Sequence, residues 1–124
     1  MDPQKQAAAL RWRDALWEQQ AGRLSWQVLN EFYWNATRKL RVAGHVARTL
    51  VESYSKWATT GFSLPLIQRA WHWTDSAGIS YWDALILAAA ERSGCRRLLS
   101  EDFSHGREYG AVEVVNPFLV DPEH

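Results

Sequence analysis

Apolar residues recur at helical spacing through most of the chain and at strand spacing in a few short runs. Between Gln4 and Ala21, the positions Ala8, Trp12, Ala15, Leu16 and Gln19 follow a helical period that stops at Gly22. Leu24, Trp26 and Val28 then alternate, which predicts a strand over Arg23 to Val28. Val28, Phe32, Ala36 and Leu40 recur every four residues, so the strand is expected to run into a helix, with Glu31 and Asn35 together on another face. After Gly44, Ala47, Leu50, Val51 and Tyr54 stand at i, i+3, i+4 and i+7 and predict a second amphipathic helix. Thr59, Thr60 and Gly61 form a break, and Phe62 to Leu64 reads as a short strand. Pro65 suits the first turn of a helix that runs to about Ala77 and ends at Gly78. Ser80 reads as the N-cap of a helix over Tyr81 to Ser93, apolar almost all round apart from Asp83, Glu91 and Arg92, with Gly94 as its stop. Arg96 to Ser100 and Val112 to Val115 read as strands. Alternating helices and short strands predict an α/β fold, with about five helices around a short, mostly parallel sheet.

Composition sets the class within which that pattern operates. With 124 residues, residues 1–124 are expected to form a single domain, long enough for one core. An apolar fraction of 47% against 23% charged excludes a disordered chain. The fourteen basic and fourteen acidic residues cancel, so the chain lacks the broad positive field of a general nucleic-acid binder, and any such contact must be local. The single cysteine, Cys95, has no partner for an internal disulfide and sits between a helix and a strand, where a small packed residue fits. No run reaches the ~18 apolar residues of a membrane span and no leader pattern opens the chain, which predicts a cytosolic protein. The eight tryptophans are more than a core of this size can hide, which predicts a protein–protein contact; a stacking platform for nucleic acid fits less well with neutral charge.

The acids fall where elements begin or stop, the positions from which open α/β sheets build their sites. Asp83 stands three residues after Ser80, Glu31 near the start of its helix, and the pair Glu101 and Asp102 at the carboxyl end of a strand. Each also has a structural reading: a capping box for Ser80 and Asp83, a favourable helix-dipole position for Glu31, and a solvated turn for Glu101 and Asp102. Asn35 and Ser100 are ordinary hydrogen-bonding residues on the same grounds. His105, followed by glycine in a loop, reads as solvated, and His45, His72 and His124 have no metal-ligand spacing. No zinc motif, phosphate-cradling glycine loop or nucleophile elbow is present.

Three blocks carry a resemblance: QVLNEFYWNATRKL (Gln27 to Leu40), ISYWDALILAAAERSGCRRLLSEDFSHG (Ile79 to Gly106) and VEVVNPF (Val112 to Phe118). Together they resemble PIN domains, and among them the VapC-type ribonuclease toxins of toxin–antitoxin pairs. The resemblance implies a three-layer αβα sandwich in which carboxylates from separate segments meet at the sheet's carboxyl edge and hold Mg²⁺ or Mn²⁺. Hard cations prefer such oxygen ligands, and metal bound there activates water toward a phosphodiester. It further implies that Glu31, Asp83 and Asp102 are the catalytic and metal-binding acids, with Ser100, Glu101 and Asn35 positioned to orient or assist them. The implied function is a metal-dependent endoribonuclease that hydrolyses RNA, pairs with a cognate antitoxin, and forms a homodimer or higher oligomer.

The chain departs from that pattern at its start. Family members open with a hydrophobic strand bearing an aspartate, often as D-T/S-N, whereas Met1 to Gln6 matches the segment after it, and Asp2 is not the equivalent aspartate. The absent strand is the central one, so Val28 and Leu98 are expected to flank an open lane. Its loss predicts self-association through tryptophan-rich surfaces, or a strand gained from a partner peptide. Three acids rather than four also motivate a second reading, a catalytically inactive binding module that associates with an antitoxin or with itself.

Overall fold

The computed structural model describes residues 3–19, 22–100, 103 and 105–122. The fold is mixed α/β and mostly helical. The chain falls into two compact units, one formed by Met1–Gly22 with Cys95–His124 and the other by Arg23–Gly94.

The second unit begins with a short strand β1 (Leu24–Ser25) that passes directly into helix α2 (Trp26–Arg38). The predicted strand over Arg23 to Val28 is therefore cut to two residues. Ser25 is the reason: its hydroxyl accepts the Val28 N–H at 3.1 Å, so the helix starts at Trp26 and overrides the Leu24, Trp26, Val28 alternation. α2 ends at Lys39, and Arg41 follows with φ of 56°, a left-handed backbone reached here without glycine. Helix α3 (Gly44–Tyr54) and a 3-10 turn (Ser55–Trp57) lead to β2 (Ala58–Thr60), which pairs parallel with β1, Leu24 opposite Ala58 and Ser25 opposite Thr60. The expected strand at Phe62 to Leu64 is thus displaced onto the residues read as a break. Phe62 lies outside any element, and Leu64 is already in the next helix.

That helix, α4 (Leu64–Ala77), has Ser63 as its N-cap, Pro65 in the first turn and Gly78 as a left-handed cap at φ of 68°. Leu66, Ala70 and Trp73 form its buried face. It packs against α5 (Tyr81–Arg92), where Ala84, Leu85, Leu87, Ala88 and Ala89 are buried. Ala70, Ala84 and Ala88 are fully inaccessible, so small side chains let the two helices approach closely. Polar groups reinforce the pair: Arg69 donates two hydrogen bonds to Glu91 (3.0 and 2.9 Å), and the Trp73 indole N–H donates a third (2.6 Å).

The other unit comprises helix α1 (Pro3–Gln19) and strands β3 (Arg97–Leu99), β4 (Glu108–Tyr109) and β5 (Val112–Val115). β5 is central, parallel to β3 and antiparallel to β4, with Val112, Val114 and Val115 buried. β4 has only two residues and no alternation from which a sequence reading could have found it. Ala8 and Trp12 are the buried positions of α1, one helical turn apart, and the Trp12 indole donates to the carbonyls of Pro117 (2.9 Å) and Val120 (3.0 Å). His105 has a structural task, its Nδ1 accepting the Asn116 N–H at 3.0 Å.

The described strands thus form two sheets, β1–β2 and β3–β5–β4, each inside its own unit. Two of the three ladders are parallel, as the alternation of helices and strands implied. Leu98 stands on the end strand β3, but Val28 is helical and flanks no strand lane, because the Ser25 cap starts α2 before it. Among the described residues, no helix is long and apolar enough to cross a membrane.

Candidate functional site

Gln27 is the only buried polar residue among the described side chains, 8% exposed in the first turn of α2. A buried amide requires partners. Its Nε2 donates to Glu31 Oε1 at 3.3 Å, one helical turn along α2, and to the Trp82 carbonyl at 3.5 Å, the long end of hydrogen-bond range. A single side chain therefore ties the Glu31 carboxylate to the first turn of α5, where Asp83 is the residue after Trp82. Glu31 is exposed and Asp83 half-buried.

The Ser80 hydroxyl accepts the Asp83 N–H at 3.1 Å, so half of the predicted capping box is present. The Asp83 carboxylate itself has no hydrogen-bond or ion-pair partner among the described residues. It lies in the first turn of α5. The dipole reading of Glu31 does not hold. Because α2 starts at Trp26, Glu31 lies beyond its first turn, which contains no acid. Its helical neighbour Asn35 is exposed on the same side.

The remaining predicted residues stand elsewhere. Ser100 follows β3 and donates its backbone N–H to the Val115 carbonyl at 3.0 Å. Glu101 and Asp102 lie outside the described residues. Among the described residues, no group of three or more His, Cys, Asp or Glu is close enough to hold a metal ion.

Beside Gln27 runs a crevice lined by Ser25, Gln27, Gly61, Phe62, Leu66 and Ala89. It is a shallow surface groove that encloses no cavity of water size or larger. Large aromatics stand exposed in the same segments: Trp26, Phe62 and Trp82, with Trp82 63% accessible. Trp34 and Trp71 are exposed as well, whereas Trp12 and Trp73 are buried. Sequence reasoning missed Gln27 as a site residue. The signal that would have found it is its position one turn before Glu31, on the face of α2 that Glu31 and Asn35 share.

No family model matches the chain, and no curated protein matches it.

Proposed function

We propose that the chain is a metal-dependent endoribonuclease of the VapC-type PIN class, with a three-layer αβα sandwich as its architecture. The observation that carries this reading is the Gln27 bridge, which draws Glu31 to the turn bearing Asp83. The three sequence blocks support it, as do the exposed aromatics Trp26 and Trp82 on the two helices that the bridge joins.

Glu31 and Asp83 would hold Mg²⁺ or Mn²⁺, a hard ion satisfied by one or two carboxylates with water completing its shell; Asp102 is the proposed third ligand. Bound there, the ion supplies a lowered water pKa and neutralises charge on the scissile phosphodiester. Gln27 positions the Glu31 carboxylate through its amide, Ser80 holds the backbone of the turn that carries Asp83, and Ser100, Glu101 and Asn35 are the proposed assisting residues. The cognate antitoxin, and a homodimer or higher oligomer, are the partners this reading entails.

The test is cleavage of a mixed RNA pool with Mg²⁺ or Mn²⁺, comparing the chain with Asp83→Asn and Glu31→Gln. Loss of activity in both variants, with folding intact, supports the reading; equal activity in all three, or none in any, removes it. The second reading, an inactive binding module, is favoured by the lack of a three-ligand cluster among the described residues and by four exposed tryptophans. It expects millimolar Mg²⁺ to leave the melting temperature unchanged, whereas an ion that binds only the folded state must raise it.

A further inference from the structure

The outer edge of β3 presents backbone groups that have no hydrogen-bond partner among the described residues. Within the β3–β5 ladder, the Arg96 carbonyl accepts the Glu113 N–H (2.8 Å), and the Ser100 N–H donates to the Val115 carbonyl (3.0 Å). With Arg97 opposite Glu113, Leu98 opposite Val114 and Leu99 opposite Val115, parallel geometry turns residues 96, 98 and 100 toward β5. The N–H and C=O of Arg97 and of Leu99 therefore point away from it. β3 is the end strand of its sheet, and none of those four groups has a hydrogen-bond partner among the described residues. Leu98 and Leu99 are half-buried and lie on opposite faces, so apolar surface flanks the edge on both sides. Parallel strands are ordinarily covered, and an uncovered one is a template for another strand.

We propose that the outer edge of β3 is a docking site for an extended acidic and apolar segment of another polypeptide, which joins the sheet as an added strand. Four main-chain groups supply the pairing, and side chains select the partner. Arg96 and Arg97 are both exposed at the start of the edge. Glu113, and Glu108 beyond it, share the cross-strand row of Arg97. An incoming side chain in register sits one strand spacing from Arg97 and two from Glu113, so the nearer cation decides and a carboxylate is preferred. The same preference disfavours a second copy of this chain, because the β3 sequence Arg97–Leu99 brings no carboxylate to the pairing. This site uses neither Glu31 nor Asp83 and stands independently of the ribonuclease reading.

Residue-resolved amide exchange on the full chain tests the proposal, with the peptide Ser-Glu-Val-Val-Thr as probe. At saturating peptide, the amides of Arg97 and Leu99 are expected to exchange about tenfold more slowly, while that of Leu98, already in the ladder, changes little. A peptide with lysine in place of glutamate, and one N-methylated along its pairing edge, should each bind about tenfold more weakly. A Leu99→Pro variant removes one outward donor and spares the bonds made by Leu98 and Ser100; it should lose peptide binding while the Leu98 amide stays protected. Unchanged exchange at Arg97 and Leu99 at millimolar peptide overturns the proposal, as does equal binding of the lysine peptide. Protection of those two amides that rises with protein concentration in the absence of peptide identifies a second copy as the occupant, and also overturns it.

Discussion

Glu91 joins α4 to α5 through three hydrogen bonds, and removing its carboxylate measures what that junction contributes. Its side chain is 18% exposed and that of Arg69 41%. Arg69 can turn to solvent when its partner is lost, so the ion pair itself contributes only about 0–1 kcal/mol. The Trp73 indole cannot: the residue is 8% exposed, and an unsatisfied buried N–H costs about 1–3 kcal/mol. Glu91→Gln keeps an acceptor for Trp73 and should cost about 1 kcal/mol, whereas Glu91→Leu strands the indole and should cost about 2–4 kcal/mol. For a chain of this size, each kcal/mol lowers the melting temperature by roughly 3–6 °C. Adding Trp73→Phe to Glu91→Leu removes the stranded donor, so the double variant should be more stable than the sum of the single costs by about 1–2 kcal/mol. Chemical denaturation of the four proteins gives the cycle directly. Additivity within about 0.5 kcal/mol, or equal losses from Glu91→Gln and Glu91→Leu, would refute the argument that the buried indole, rather than the exposed arginine, carries the cost.

The same cluster fixes a pH dependence. Burial pushes the Glu91 carboxyl up, but its hydrogen bonds from Arg69 and Trp73, with the charges of Arg69 and His72, outweigh burial and hold it below its ordinary value of 4.5. A carboxyl depressed in the folded state binds its proton more readily when unfolded. Its stabilisation is therefore complete above pH 4.5 and is lost as pH falls from there through the folded-state value. Wild type and Glu91→Gln should differ at pH 7 and converge in acid; a constant gap down to pH 3 would contradict this assignment.

Three shorter expectations follow from other junctions. Arg41→Gly relieves a left-handed residue at φ of 56° and should stabilise the chain by up to about 1 kcal/mol, read as a rise in melting temperature. Trp12→Phe removes the indole that serves the carbonyls of Pro117 and Val120 and should cost about 1–3 kcal/mol, mostly through those two acceptors, so Trp12→Leu should be no milder. Gln27→Leu keeps the buried volume but frees Glu31; RNA cleavage should fall at least tenfold while the melting temperature drops by no more than about 6 °C, and retained activity would separate Glu31 from the site.

Helix identity was legible wherever a cap and a period agreed. Ser80 with Gly94, and Pro65 with Gly78, bracket α5 and α4 within a residue or two of their observed limits. The errors cluster where two local rules compete. At Leu24 to Val28 the alternation of apolar residues argued for a strand, but a single serine hydroxyl accepting the Val28 N–H started the helix two residues earlier than the pattern allowed. At Ala58 to Thr60 the strand is defined by its pairing with β1, a partner more than thirty residues away, and small or hydroxylated side chains carry no period of their own. β4 is invisible for the same reason, held by its ladder with β5 and by the Phe103–Tyr109 contact rather than by its own two residues.

The candidate site shows what kind of signal a linear reading can miss. Glu31 and Asp83 were singled out as charged residues near helix starts, yet for Glu31 that argument fails once α2 begins at Trp26. What links it to the turn carrying Asp83 is an uncharged residue, Gln27, whose weight comes from burial alone. In water its amide would be solvated and indifferent to geometry. Buried beside Leu66 and Ala89 it must find acceptors, and its two partners are the Glu31 carboxylate and the Trp82 carbonyl. Burial of Gln27 thus converts a spacing of four residues along one helix into a link between two helices separated by more than forty residues of sequence. Charge marked the acids, but it is a buried neutral amide that links Glu31 to the turn bearing Asp83.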